Sequence, residues 1–292
     1  MTNRIPKIGI FDSGLGGLTV LREVRRAVPE AELVYLGDTA RTPYGSKSVS
    51  TIQAYARECA HFLRSCEIDL LVVACNTVSA TSLQELEREM PFPVIGTIEP
   101  AVRVARTHSH GGTIAVIGTD ATIASGVYDR ALKSSMPGAQ VLSFACPLFV
   151  PLVEQGMFEG EIVEKVIELY LGRITAASVE SLVLGCTHYP LLRPAMESFL
   201  GGRIRIIECS TAVAEACRLT CVSLADSPDW ARSAEEPRTS EKSKQMTTDG
   251  STQDRTNATY FVTDTPSRFN FFARNFLGDE LLSARVVELS SP

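Results

Sequence analysis

The sequence contains no pair of cysteines at C-x-x-C spacing, although eight cysteines are spread along its 292 residues. That absence argues against a zinc knuckle and against a thioredoxin-type redox motif. The four histidines do not combine with cysteines at ligand spacing, so no metal site is predicted. Because the chain is long and shows no export signal, its cysteines are expected to be reduced thiols rather than a disulfide framework.

The chain also lacks an excess of positive charge, a long apolar run and a secretory leader pattern. Its net charge of -6 is not that of a protein with the positively charged surface that binds nucleic acid. No apolar stretch approaches the roughly 20 residues that a bilayer span requires. We therefore expect a cytoplasmic protein without a nucleic-acid or membrane partner, and the 45% apolar content is enough for a substantial core.

Short apolar segments alternate with helical patterns along most of the chain. The helical patterns include residues 51–66 and 80–90. The apolar segments predict strands at 8–12, 33–37, 70–74, 94–98, 113–119 and 203–209, with a last strand at 260–264. Strands that alternate with helices indicate parallel β-α-β units, so the predicted fold class is α/β.

The order of strands restarts halfway along the chain, at an offset of about 110 residues. Segment 113–119 resembles the opening strand, and 203–209 resembles the strand around Ile95. We predict two pseudo-symmetric α/β domains with parallel sheets, formed by residues 1–99 with 210–292 and by residues 100–209. If the two domains pack face to face, the active site lies between them. The polar segment 225–259 predicts a disordered insertion. A helix after it carries Phe269, Phe272 and Phe276 on one face, which predicts core packing.

Two cysteines occupy equivalent places in this repeat. Cys75 in LLVVACNTVSA and Cys186 in SLVLGCTHYPL each follow an apolar run that predicts a strand buried on both faces. Ligands bind at the carboxyl ends of parallel strands. Two thiols that face one molecule could remove a proton from one side of a carbon and deliver another to the opposite side. A lone cysteine in such a place is usually an inert apolar residue, but the repetition favours chemistry.

Two polar loops also follow predicted strands. DSGLGG at 12–17 looks like a nucleotide loop, but Thr19 stands where G-x-G-x-x-G requires its third glycine, which disfavours a dinucleotide site. The turn instead places Asp12 and Ser13 in the crevice, although both residue types are also common helix caps. GDTARTPYGS at 37–46 brings Tyr44 and neighbouring amides toward the same edge, unless it is an ordinary turn.

Taken together, these segments resemble the glutamate racemases of the aspartate/glutamate racemase superfamily. FDSGLGGLTV, GDTARTPYG, ACNT, IEP and GCTHYPL occur in that order, and the resemblance covers nearly the whole chain apart from 225–259. It implies cofactor-independent interconversion of L- and D-glutamate, which supplies D-glutamate for peptidoglycan synthesis. The two proton carriers implied by the resemblance are Cys75 and Cys186, with Asp12 assisting the first and His188 and Glu154 assisting the second. The implied substrate-binding residues are Asp12, Ser13, Tyr44, Gly45, Asn76, Thr77, Thr187 and His188.

Other interpretations stay open at this point. Val78 departs from the family pattern, which commonly has alanine there. A sister racemase for aspartate or another amino acid is an alternative, because one methylene is worth only about 1 to 3 kcal/mol in discrimination. A non-catalytic amino-acid-binding protein would be stabilised by its ligand without converting it. The resemblance implies glutamate as a small-molecule substrate and no cofactor, and a homodimer is left open.

Overall fold

The computed structural model describes residues 5–109, 111–226, 257–277 and 284–289. The strands and helices of these ranges, in chain order, are β1 (Lys7–Asp12), α1 (Leu18–Ala27), β2 (Glu32–Gly37), α2 (Val49–Ser65), β3 (Leu70–Val73), α3 (Asn76–Thr81), α4 (Leu83–Glu89), β4 (Val94–Ile95), α5 (Ile98–His108), β5 (Thr113–Gly118), α6 (Asp120–Ala124), α7 (Val127–Ser135), β6 (Gln140–Ala145), α8 (Phe149–Glu154), α9 (Glu161–Thr175), β7 (Val179–Gly185), a 3₁₀ helix (Tyr189–Leu192), α10 (Arg193–Leu200), β8 (Arg205–Glu208), α11 (Cys209–Ala225), β9 (Ala258–Val262), α12 (Pro266–Leu277) and β10 (Arg285–Val286).

Two parallel sheets form the framework of the described ranges. The first sheet has the strand order β10-β9-β2-β1-β3-β4, and the second has the order β6-β5-β7-β8. The order β2-β1-β3-β4 therefore recurs as β6-β5-β7-β8, with β1 equivalent to β5 and β3 equivalent to β7. This arrangement confirms the predicted α/β class with two related parallel-sheet domains.

Apolar clusters on both faces of each sheet explain why the strands read as continuous apolar runs. In β3, Val72 packs in the cluster that contains Ile10 and Tyr35. Its neighbour Val73 packs in a different cluster, which contains Phe11. Successive side chains of a strand point to opposite faces, so a strand covered on both sides needs apolar residues at every position.

Some element boundaries differ from the sequence prediction. The strand predicted at 94–98 ends at Ile95, because the chain turns into α5, which starts at Ile98 and has Pro100 in its first turn. The helix predicted at 80–90 is two helices that begin earlier, at Asn76, and are separated by Ser82, whose φ of -134° is not helical. The first of these helices therefore begins directly after Cys75.

The end of the described chain returns to the first sheet. Ala258 in β9 pairs with Leu33 in β2, so this strand starts inside the segment predicted as an insertion. Residues 227–256 of that predicted insertion lie outside the described residues. Phe269 and Phe272 of α12 are buried in the core of the first sheet as predicted, whereas the side chain of Phe276 lies outside the described part. Among the residues that the structure describes, none of the helices combines the length and apolar composition that a bilayer span requires.

Candidate active site

The two predicted proton carriers lie at the carboxyl ends of equivalent strands. Cys75 follows β3 after one intervening residue, and Cys186 directly follows β7. Their residues are only 4% and 6% exposed. Both thiols are thus buried at the carboxyl edges of their sheets.

On the side of the first sheet, Cys75 donates its S–H to the Ser13 hydroxyl oxygen at 3.3 Å. Burial, and then the negative charge of Asp12, raise the pKa of the Cys75 thiol to about 12. Burial also raises the pKa of the Asp12 carboxyl, although the positive charge of His188 and hydrogen bonds from backbone N–H groups oppose that rise. Cys75 is therefore a protonated thiol at neutral pH, which suits a proton donor.

On the side of the second sheet, three side chains form a hydrogen-bonded series. Cys186 Sγ lies 3.7 Å from His188 Nδ1, and His188 Nε2 lies 2.6 Å from Glu154 Oε1. Burial acts to lower the pKa of His188, but its hydrogen bonds with Cys186 and Glu154 outweigh burial and raise that pKa well above its ordinary value. The imidazole is therefore a cation at neutral pH, and its Nδ1–H faces the sulfur.

Glu154 completes this series from the end of α8. Burial acts to raise the pKa of its carboxyl, but the hydrogen bond and charge of His188, followed by the charge of Arg268, hold that pKa below its ordinary value. Arg268 Nη2 lies 3.5 Å from Glu154 Oε2. Arg268 belongs to α12, which packs on the first sheet. This helix therefore contacts Glu154, which lies on the side of the second sheet.

The loop 12–17 contacts the second half of the chain at the residues that follow Cys186. Thr187 Oγ1 donates to Asp12 Oδ1 at 3.3 Å. A Cβ added to Gly16 would lie 2.5 Å from Thr187 Oγ1 and 2.7 Å from His188 Nδ1. The glycine at this place therefore allows the halves to approach, which is a different use of the glycine-rich segment from phosphate binding.

Substitution of Gly16 by alanine tests this close approach. The new Cβ would also lie 2.9 Å from the carbonyl carbon of Thr187, so backbone as well as side chains would have to move. Because a displacement of about 1 Å in a catalytic group can cost about 100-fold in rate, we expect kcat/KM of the reaction catalysed at the two cysteines to fall by about that factor in Gly16→Ala. Gly172→Ala in α9 is the matched control, because its added Cβ meets no atom within 4 Å. Wild-type activity of the Gly16→Ala variant would contradict the close approach of Gly16 to Thr187 and His188.

Hydroxyl groups from both halves meet at Thr77, the residue that follows Asn76. Thr77 Oγ1 lies 2.9 Å from Thr119 Oγ1, which in turn lies 2.9 Å from Thr122 Oγ1. We call Thr77, Thr119 and Thr122 the hydroxyl cluster. The Asn76 side-chain nitrogen Nδ2 is buried and has no hydrogen-bond partner among the described residues. An unpaired amide donor and a group of hydroxyls each suit the oxygens of a carboxylate.

Thr119 and Thr122 are not among the residues predicted from the sequence. Thr119 directly follows β5, the equivalent of β1, so the argument that pointed to Asp12 at the end of β1 would also have pointed to Thr119. Thr122 lies within α6 and has no comparable signal in the sequence. Its hydroxyl contacts that of Thr119 at 2.9 Å and that of Thr77, which is far away in the sequence, at 3.5 Å.

The loop 37–46 reaches this region in a way that its sequence does not specify. The hydroxyl of buried Tyr44 donates to Asp38. The Gly45 carbonyl accepts from the Ala121 N–H at 3.0 Å, and a Cβ on Gly45 would lie 2.4 Å from the Cβ of Thr119. Gly45 is thus in contact with the hydroxyl cluster, whereas the Tyr44 hydroxyl is bound to another residue.

Within the described ranges, no group of three or more His, Cys, Asp or Glu side chains is placed to hold a metal ion. All eight cysteines fall inside these ranges as free thiols. Asp12 acts on Cys75 through its charge, and His188, which is paired with Glu154, faces Cys186.

Known proteins resemble this chain over most of its length. A family model described as Asp/Glu/Hydantoin racemase matches residues 8–217. The glutamate racemase of Aquifex aeolicus is 57% identical over 212 residues, which are 73% of this chain and 82% of the relative. The glutamate racemase of Geobacter metallireducens is 40% identical over 284 residues, which are 97% of each chain.

A solved structure shows the same architecture. The crystal structure of glutamate racemase from Francisella tularensis in complex with D-glutamate has a TM-score of 0.82 at 30% identity, covering 98% of this chain and 99% of that one. The range matched by the family model contains both strand-end cysteines. The chain therefore belongs to the Asp/Glu/hydantoin racemase family and, within it, to the glutamate racemases, which are isomerases.

Proposed function

We propose that the protein interconverts L- and D-glutamate without a cofactor, by proton transfer between Cys75, the substrate and Cys186. The observation that carries the proposal is the placement of two buried cysteines after equivalent strands of two related sheets. Each cysteine has its own polar partner, Ser13 on one side and His188 on the other. Inversion of a stereocentre requires two groups on opposite faces, because a single base tends to return the proton to the face it came from.

The two sides differ in a way that suits the first half of such a reaction. Cys75 has a raised pKa and carries a proton, whereas the sulfur of Cys186 faces the imidazolium of His188. A Cys186 thiolate would take the α-hydrogen as a proton, forming S–H as C–H breaks. The electron pair passes into the substrate carboxylate, and Cys75 gives its proton to the opposite face of the α-carbon. The two cysteines then hold exchanged protonation states, ready for the reverse reaction.

Donors near the thiols are suited to the carboxylates of an amino acid. The unpaired Nδ2 of Asn76 and the hydroxyl cluster supply hydrogen bonds without adding positive charge. Such donors hold the oxygens of a carboxylate in the ground state and in the transition state alike. The complex of the Francisella tularensis glutamate racemase with D-glutamate supports a ligand of this class.

Glutamate is favoured over aspartate by the relatives. Glutamate racemases of Aquifex aeolicus and Geobacter metallireducens match this chain at 57% and 40% identity. On the same basis we propose that the protein supplies D-glutamate for peptidoglycan synthesis and that it works in the cytoplasm. A homodimer stays a prediction.

We also propose that residues 1–99 with 210–292 form one domain and residues 100–209 the other. Support comes from β9, which pairs with β2, and from Val213 and Cys217 of α11, which pack in the core of the first sheet. Strands β5 to β8 pair only with one another among the described strands.

The test is incubation of the purified protein with L-glutamate in deuterated water, without added cofactor. We expect D-glutamate to form until both enantiomers are equal, with deuterium at the α-carbon of the product, because thiol protons exchange with solvent. Chiral chromatography and mass spectrometry measure the two results. Thermal stabilisation by glutamate without chiral conversion would identify a binding protein instead, and faster conversion of aspartate would identify the sister racemase.

A further inference from the structure

The side-chain oxygen of Asn76 is held by donors from two other elements. It accepts from the Thr97 hydroxyl at 2.9 Å and from the Tyr128 hydroxyl at 2.7 Å. Cys209 Sγ lies 3.8 Å from the same oxygen. The other end of the amide, Nδ2, is buried and has no partner among the described residues. The Asn76 oxygen thus accepts two hydrogen bonds within the protein, whereas its nitrogen is available to donate to a ligand.

This arrangement determines which way the amide of Asn76 faces. An amide group has an acceptor at one end and donors at the other, and rotation by half a turn exchanges them. With Oδ1 engaged by two hydroxyls, the N–H groups are the end available to a substrate carboxylate. If those hydroxyls were absent, the amide would be free to rotate, and the substrate carboxylate would have to order it on binding.

Tyr128 also contacts the other half of the site. It lies in α7, which covers the second sheet, and its ring atom Cε2 lies 3.2 Å from the position that a Cβ on Gly185 would take. Gly185 directly precedes Cys186. The Tyr128 hydroxyl lies 3.5 Å from Cys209 Sγ, which donates to the carbonyl of Leu184 at 3.3 Å. A single buried tyrosine therefore touches the residue after one catalytic cysteine and the backbone before the other.

We propose that Tyr128 is a positioning residue for racemisation, whose hydroxyl orients the Asn76 amide toward the substrate carboxylate while its ring supports the backbone before Cys186. The inference rests on the proposed function. Tyr128 is argued to act through Asn76, since its hydroxyl is already engaged by the Asn76 oxygen.

Loss of the Tyr128 hydroxyl is expected to change substrate binding more than the rate of proton transfer. A carboxylate that Asn76 holds is present in both the ground state and the transition state, so weaker holding raises KM and leaves kcat nearly unchanged. Tyr128→Phe removes the hydroxyl and keeps the ring against Gly185. We expect it to raise KM for both enantiomers about tenfold, the size of one hydrogen bond, with kcat within about twofold of wild type.

Tyr170→Phe is the matched control. Tyr170 lies on α9 and its hydroxyl accepts from the Leu148 N–H at 3.4 Å, outside the site described above. We expect this variant to keep the wild-type KM and kcat. Circular dichroism and thermal unfolding of both variants verify that each is folded.

A double-mutant cycle with Asn76→Ala separates positioning from a general structural role. If Tyr128 acts through Asn76, the Tyr128→Phe substitution has no further effect on KM once the amide is gone. The same roughly tenfold loss in both backgrounds would overturn the inference, as would a wild-type KM in Tyr128→Phe. Absence of glutamate turnover in the wild type would instead overturn the proposed function, so the two failures are distinguishable.

Discussion

Replacing Cys75 by alanine is expected to lower racemisation by about a thousandfold or more, and replacing Cys186 is expected to do the same. Positioned acid and base groups typically contribute 10²- to 10⁴-fold each, and inversion needs both. The equilibrium constant between enantiomers is one by symmetry, so kcat/KM must fall equally in the two directions. Initial rates from L- and D-glutamate, measured by chiral chromatography, verify both statements.

The single variants also allow each face to be examined separately. Cys75→Ala keeps Cys186, so it should still exchange the α-hydrogen of one enantiomer with deuterated water, without inversion. Cys186→Ala should exchange only the other enantiomer. Cys66→Ala is the matched control, because this cysteine is buried at the end of α2 with its thiol bound to the Phe62 carbonyl, and it should racemise normally. Substantial turnover in either site variant would remove the two-cysteine mechanism.

Replacing His188 by alanine is expected to lower kcat/KM by about 100-fold in both directions, because it removes the donor that faces the sulfur of Cys186. The measurement is the pH dependence of kcat/KM. In the wild type, the raised pKa of His188 keeps it charged through neutral pH, and activity should fall when alkaline pH removes that proton. The alanine variant should lack this alkaline decline, and an unchanged profile would contradict the role.

The ion pair between His188 and Glu154 makes the stability of the folded protein depend on pH in a predictable direction. A raised folded pKa for His188 gives a stabilisation that is complete below its ordinary value of 6.5 and is lost as pH rises through the raised value. The lowered pKa of Glu154 gives one that is present above its ordinary value of 4.5 and is lost as pH falls through the lowered value. The difference in melting temperature between wild type and His188→Ala should therefore narrow toward both acid and alkaline pH.

The repeat could be predicted because each strand is a local apolar run, and the order of such runs can be read along the chain. Cys75 and Cys186 stand out for the same reason, since each follows such a run. The roles of Thr122 and Tyr128 were not predictable, because each depends on a contact with a residue far away in the sequence. Tyr44 illustrates the same limit, because the loop sequence does not show that its hydroxyl is bound to Asp38.

The route of the chain between the two sheets has a mechanical consequence. The polypeptide leaves the first sheet through α5 and returns after β8 through α11, and these two helices pack against each other. A pair of adjoining tethers permits rotation about a shared axis and resists sliding or twisting. Opening of the crevice to admit an amino acid would therefore follow a hinge path about these two helices.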